Sequence, residues 1–229
     1  MKRIRNVSGA ALMALLTLGL QAQTNPTAQT LPFTMTQHTG STLPAGMAAH
    51  RFGTSSNGSP TTRTTANGNG DLPWSSTLNQ GNWRDEGTSG ISMLSSGSNN
   101  AGALVVALNT TGLSNITVQW KCATIYQQSA RDNSIALQYR LGTSGNWTDV
   151  GTTTTYTSAG KAQGDVSALF TEVLPAAANN QAVVQVRWLY WESVSTSGSR
   201  DRIAVDEINI TGSSATCTAP TTQASAITF

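Results

Sequence analysis

The amino-acid sequence predicts an all-β fold, an antiparallel β-sandwich of jelly-roll-like build with long N-terminal loops. Alternation is the first sign. In Ile116–Cys122, Ile116, Val118, Trp120 and Cys122 share one parity while Thr117, Gln119 and Lys121 share the other. Successive side chains of a strand point to opposite faces, so this run buries one side. Spacing is the second sign: roughly nine or ten such runs recur about every 8–12 residues, with turn-forming residues between them. Composition is the third. Only 10% of residues are charged, yet six Trp lie among many Val and Ile, which separates the chain from a disordered one of equal polarity.

Taken in order, residues 23–30 are polar and read as a spacer. Leu31–Met35 reads as a first strand, and Thr42–Gly70 as loop interrupted by short strands around Met47–Phe52. Ala103–Leu108, Ile116–Tyr126 and Ile135–Leu141 are strands, the last with Ile135, Leu137 and Tyr139 inward and Gln138 and Arg140 outward. Thr143-Ser144-Gly145-Asn146 turns the chain into Trp147–Val150. Asp165–Val173 fits either a capped helix or a turn leading to a strand, Leu169–Leu174; the strands around it favour the second.

Val183–Ile210 reads as two antiparallel strands about a connector rich in Ser, Thr and Gly. In its first run Val184, Val186, Trp188 and Tyr190 take the core parity, leaving Gln185, Arg187 and Trp191 for solvent. In its second run Asp206 shares the parity of Ala204, Ile208 and Ile210. Either it points inward, where a buried carboxylate needs partners, or a bulge turns it outward.

The N-terminus has the layout of a secretory signal peptide. Lys2, Arg3 and Arg5 precede an apolar run from Val7 to Leu20, and Ala22 supplies a small residue for cleavage. The run is shorter than the ~20 residues of a permanent span, so no membrane span is expected after cleavage. Three of the 13 basic residues lie in this segment, leaving 10 against 11 acidic residues, a mature net charge of −1. That balance does not support a nucleic-acid-binding surface. Export permits disulfides, but Cys122 falls at the core parity and Cys217 in the terminal linker, so none is expected.

Catalytic signatures are scarce. The sequence contains no Gly-x-Ser-x-Gly, no His-Glu-x-x-His, no Cys-x-x-Cys and no Gly-rich phosphate loop, and its two His, His38 and His50, have no sequence partner suggesting a triad. Paired carboxylates are available at Asp85-Glu86 and Asp206-Glu207. Strand neighbours point to opposite faces, so neither pair is expected to serve one groove as acid and base.

Arg-Asp occurs at Arg84-Asp85, Arg131-Asp132 and Arg200-Asp201, each near an expected strand start. The commoner origin of such pairs is solvated or structural ion pairing. The alternative is a calcium site in which Asp85, Asp132 or Asp201 joins backbone carbonyls, since Ca²⁺ takes oxygen ligands; no other cofactor is implied. For sugar binding the useful residue is a solvent-facing aromatic, and Trp191 and Trp83 are the candidates.

Several phrases together resemble a known group: ALVVALNTTG (Ala103–Gly112), RDNSIALQYR (Arg131–Arg140), GTSGNWTDV (Gly142–Val150), LPAAANNQAVVQVRW (Leu174–Trp188) and GSRDRIAVDEI (Gly198–Ile208). They are similar to a jelly-roll-like module near the N-terminus of exported multidomain bacterial proteins, particularly those using type IX secretion. Ile203–Thr211 is also similar to the last strand of MAM-type adhesion sandwiches. The tail Cys217–Phe229 resembles the first strand of a fibronectin type III domain. The resemblance implies a division into signal peptide (1–22), spacer (23–30), sandwich module (31–212) and a linker with the start of a fibronectin domain (213–229).

The expectation is therefore a noncatalytic accessory or adhesive module, secreted or at the cell surface. Its partners would be a glycan or other surface ligand and neighbouring domains of a longer polypeptide. The alternatives are part of an exported nuclease or glycosidase whose catalytic domain lies outside this chain, and a structural spacer.

Overall fold

Period-two alternation builds two β-sheets that pack face to face as a sandwich. The computed structural model describes residues 23–52, 65, 70–77, 80–94, 96, 101–128, 131–151, 156–192 and 198–214. The expected signal peptide, the loop residues 53–64 and 66–69, the connector residues 193–197 and the fibronectin-like tail from 215, with Cys217, lie outside the described residues. In chain order the strands are β1 (Gln29–Thr30), β2 (Phe33–Met35), β3 (Met47–Arg51), β4 (Asn82–Asp85), β5 (Ile91–Leu94), β6 (Ala101–Asn109), β7 (Leu113–Tyr126), β8 (Asn133–Leu141), β9 (Thr148–Asp149), β10 (Tyr156–Thr157), β11 (Phe170–Val173), β12 (Val184–Glu192) and β13 (Arg202–Ser214).

Sheet A runs β1-β6-β12-β8-β10, with β3 also on β6 and β9 also on β8. Sheet B runs β11-β7-β13-β5-β4, with β2 also on β13. Apart from the short parallel pairing of β1 with β6, the ladders are antiparallel. Asp165–Val173 resolves as a turn followed by strand β11, which lies against β7 from Phe170↔Trp120 to Val173↔Thr117.

The inner parities form one core. Leu104, Val106 and Leu108 of β6, Ile135 and Leu137 of β8, and Val184, Val186, Trp188 and Tyr190 of β12 face Ile116, Val118, Trp120 and Cys122 of β7. The rings of Trp120 and Trp188 meet edge to face at 6.3 Å, a favoured aromatic geometry. Cys122 is a buried free thiol whose pKa burial pushes up, so it packs as a small apolar side chain.

Two expectations need correction. β12 and β13 do not pair with each other: β12 lies between β6 and β8 in sheet A, and β13 between β7 and β5 in sheet B. The run from Val183 to Ile210 therefore crosses between sheets, because each strand finds its long hydrogen-bonding partners in a different layer. Residues 23–30 are also docked. Gln29 and Thr30 extend sheet A, the Thr24 amide donates to Asp71 Oδ1 at 2.9 Å, and the Gln185 amide donates to Asn25 Oδ1 at 3.2 Å.

The outer face of sheet A differs from what its polar parity implies. Gln138, Arg140, Gln185, Arg187 and Trp191 are buried there, alongside Phe52, Ala136, Trp147 and Leu189. Arg140 and Arg187 place their guanidinium carbons 4.3 and 4.1 Å from the Trp147 ring centroid. Arg140 Nε donates to Gln185 Oε1 and Arg187 Nε to Gln138 Oε1, each at 2.8 Å. Stacking on an aromatic and hydrogen bonding to amides are what allow arginine out of water. Burial still lowers the pKa of both, that of Arg140 to about 10.

His50 completes this layer. It is buried, and its Nε2–H donates to the Thr24 carbonyl at 2.8 Å. Burial lowers its pKa from the ordinary 6.5, with Arg187 and Arg140 acting in the same direction and Thr24 and Asp71 opposing. A folded-state pKa below the unfolded value means that the unfolded chain takes up the proton first, so this contribution is complete above pH ~6.5 and is lost on acidification. Between pH 7 and 5 the parent chain should lose more stability in urea than His50→Gln. Trp147→Ala should cost about 3–5 kcal/mol by the same measurement, because it uncovers two arginines as well as removing a ring.

Candidate functional site

With sheet A covered on both sides, the open surface is the β2-β13-β7-β11 side of sheet B, and its register organises it into rows. Asn209 pairs with Thr34 on β2 and with Gln119 on β7, and Gln119 pairs with Thr171 on β11. Neighbouring strands lie about 4.8 Å apart, so these four uncharged polar side chains cross four strands as a ladder. Asn209 donates to Gln119 Oε1 at 3.2 Å, and Gln119 donates to Thr171 Oγ1 at 3.3 Å. Thr117 lies between Thr211 and Val173 in the next row.

On the other side of the ladder, Thr34, Thr36, Gln119, Leu169, Glu207 and Asn209 line an open groove of about 520 Å³. Leu169, just before β11, is exposed at its edge, and Val173 is exposed in the row across the ladder from it. The groove thus combines amides and hydroxyls with an apolar flank, and its charge is confined to one end, where Lys121 Nζ donates to Glu207 Oε1 at 2.8 Å.

That end is made by a bulge. β13 and β7 pair at Asp206↔Lys121 and again at Asn209↔Gln119, so β13 carries one extra residue between them. Glu207 takes φ +47°, a left-handed conformation that costs a non-glycine residue about 1–2 kcal/mol. The extra residue keeps Ile203, Val205, Ile208 and Ile210 all in the core, and of the two orientations open to Asp206 it selects the outward one.

Asp206 and Glu207 consequently line one small pocket of about 130 Å³, with Thr88, Ser89, Lys121, Cys122, Ala123 and Val166. The expectation that neighbouring carboxylates face opposite sides fails here, because it assumes a regular strand. Asp206 is 8% exposed and its Oδ1 is buried with no hydrogen-bond partner among the described residues. Burial raises its pKa and the Glu207 carboxylate adds to that, while the Glu207 backbone N–H and Lys121 oppose it.

A glycine shapes the pocket from the other side. The turn 86–90 carries Thr88 and Ser89 and closes with the Glu86 amide donating to the Gly90 carbonyl at 2.8 Å. Gly90 has φ +79°, and a Cβ there would stand 2.2 Å from the Val205 carbonyl oxygen and 2.7 Å from Asp206 Cβ. Only glycine lets this turn reach the bulge.

The sequence-predicted site residues lie elsewhere. Trp83 and Trp191 are each 4% exposed, Trp83 in the sandwich core and Trp191 in the layer over sheet A. This corrects the expectation of solvent-facing rings: Trp83 faces the core from β4 of sheet B, and Trp191 lies on the outer side of sheet A, which is covered. Asp85 accepts the Gly40 amide at 3.0 Å and the Trp74 indole N–H at 2.9 Å, bonds that lower its pKa. Asp201 is buried and accepts the Gln128 amide at 2.6 Å. Asp132 lies near it, its pKa raised by burial and then by Asp201.

Two of the three Arg-Asp pairs do come together, through a bridge between Arg131 and Arg200. Their arginines converge on Glu192 rather than on the neighbouring aspartates, at 3.3 and 2.9 Å. This is a structural network tying two strand starts together. No group of three or more His, Cys, Asp or Glu side chains able to hold a metal occurs among the described residues. No helix among the described residues is long and apolar enough to cross a membrane.

No family model matches the sequence. The search of curated proteins returned no match. Among solved structures, the chain is similar to a carbohydrate-binding module of the β-sandwich superfamily at 11% identity and TM-score 0.33, over 52% of this chain and 44% of that one. A module specific for non-crystalline cellulose aligns at 14% identity and TM-score 0.34, over 49% of this chain and 66% of that one. The K3 cleaved adhesin domain of Lys-gingipain from Porphyromonas gingivalis aligns at 16% identity and TM-score 0.38, over 78% of this chain and 98% of that one. This chain thus spans less than two thirds of the length of the two carbohydrate-binding modules.

Gly90→Ala should lower stability by about 1–3 kcal/mol, through strain at a positive φ and overlap with the β13 backbone. Lys121→Met, which breaks a half-exposed ion pair, should cost no more than about 1 kcal/mol. Denaturant titration of both variants measures the contrast.

Proposed function

We propose that this chain is a noncatalytic binding module that holds a neutral, hydroxyl-rich chain, a glycan, along the outer face of sheet B. The observation that carries this is the ladder Thr34–Asn209–Gln119–Thr171. Amides and hydroxyls donate and accept at once, as sugar hydroxyls do, and they are fixed by strand pairing rather than by loops. Leu169 and Val173 give the apolar faces of a pyranose ring a surface to lie on. An open groove admits a polymer at any point along its length.

In this reading residues 1–22 are a cleaved export signal, residues 31–212 an extracellular jelly-roll-like module, and residues 213–229 a linker with the start of a fibronectin type III domain. The sequence phrases similar to modules of type IX secreted proteins support that context.

One observation favours a second reading. Asp206 and Glu207 share a pocket, and paired carboxylates hydrolyse glycosides. Glycosidase carboxylates, however, flank the scissile bond at about 5–9.5 Å from each other. These two are chain neighbours on a single strand, and Glu207 is engaged by Lys121. The arrangement suits recognition.

Titration calorimetry against soluble oligosaccharides tests the proposal. Gln119→Ala and Asn209→Ala should each weaken glycan binding about fivefold or more, the effect of losing a hydrogen bond worth ~1 kcal/mol. Unchanged affinity in both variants would remove the ladder from the site. Release of new reducing ends by the unaltered chain would favour hydrolysis instead.

A further inference from the structure

The groove opens beside a pocket that the ladder does not use. It is walled by the bulge of β13, by Lys121, Cys122 and Ala123 of β7, by Thr88 and Ser89 of the turn before β5, and by Val166. At about 130 Å³ it falls well below the ~300–1,000 Å³ that engulfs a whole small-molecule ligand. It has room for one substituent. Glu207 links it to the groove, since it lines both spaces.

The chemistry of the walls narrows what that substituent is. Asp206 Oδ1 is a buried acceptor without a donor among the described residues, and such a group either holds water or awaits a ligand N–H or O–H. The Lys121 ammonium already neutralises Glu207 at 2.8 Å, so Asp206 leaves the pocket with one negative charge, which repels an anion. A neutral group with a donor at one end and an acceptor at the other meets no such repulsion, and the hydroxyls of Thr88 and Ser89 give its acceptor end a partner. Val166, 62% exposed, and Ala123 add an apolar wall.

Resting on the reading of the groove as a glycan site, the geometry points to this pocket as the receptor for the acetamido group of a 2-acetamido sugar in the bound chain. The amide N–H donates to Asp206 Oδ1, the carbonyl accepts from the hydroxyl of Thr88 or Ser89, and the methyl lies against Val166 and Ala123. The strain at Glu207 has a role in this account. It keeps two outward carboxylates adjacent, one exposed and paired with Lys121, the other recessed with its Oδ1 unpartnered among the described residues.

Two soluble probes with the same β-1,4 backbone test the assignment: chitotetraose, which carries an acetamido group on each ring, and cellotetraose, which carries a hydroxyl there. The full chain should bind chitotetraose about tenfold or more tighter than cellotetraose, the discrimination that one satisfied buried acceptor supplies. Asp206→Ser and Val166→Gln should each bring the ratio towards one while leaving cellotetraose affinity in place. Val166 is a surface position, so its variant reports on the pocket even where a change at Asp206 disturbs folding. Equal affinity of the unaltered chain for both probes would overturn the acetamido pocket and leave the groove reading intact. Binding of neither would overturn both. A preference that survives Val166→Gln and a folded Asp206→Ser would remove this pocket from recognition.

Discussion

Arginine cannot lie on the covered side of a sheet unless its guanidinium plane and its N–H groups are both accommodated, and the indole of Trp147 meets that condition for two arginines at once. Arg140 and Arg187 both lie over its ring, within 4.3 Å of the centroid, and each sends a side-chain N–H to a glutamine of the same sheet. Amphipathic stacking and amide hydrogen bonds together replace water around the two charges. The rest of the molecule follows from it. Sheet A becomes an internal layer with apolar packing on one side and a polar, aromatic layer on the other. Sheet B is left as the sheet with a free face.

That division sets where function can lie. A sheet packed on both faces offers a ligand only its edges, whereas a sheet packed on one face offers every second residue of every strand. In sheet B the accessible ones lie on β2, β7, β11 and the second half of β13 and are threonines, an asparagine, a glutamine and a few aliphatics, while Ser92, Arg202 and Ala204 are buried. The ion pair at Lys121 and the recessed Asp206 occupy one end. Because the ladder is set by backbone pairing, its spacing is as rigid as the sandwich itself.

Much of the fold was legible in the residues. Ile116, Val118, Trp120 and Cys122, like Val184, Val186, Trp188 and Tyr190, announce the core by parity alone, and the structure places them there. The pairing of strands was less legible, since period two says which face is buried but nothing of which strand lies alongside; hence β12 and β13, neighbours in sequence, belong to different sheets. The outer face of sheet A misled for a related reason. Gln138, Arg140, Gln185 and Arg187 look like solvent residues until one sees that they satisfy one another. The candidate site was the least legible part. The ladder residues were visible only as the polar half of amphipathic strands. The bulge leaves little local trace, because an Asp-Glu pair in a strand reads as two faces, and the glycine that permits the close approach, Gly90, stands far away in the chain.

The extra residue in β13 also separates two kinds of selection on one strand. On either side of it, Ile203 and Val205, then Ile208 and Ile210, answer to the shape of the interior, and change there is limited by packing. Asp206 and Glu207 sit in the interruption and answer to whatever arrives from outside. A lineage can rewrite those two positions, and with them the identity of what is held, without renegotiating the interior. A regular strand does not grant that freedom, since inserting or deleting a residue in it would turn the downstream isoleucines to the wrong side.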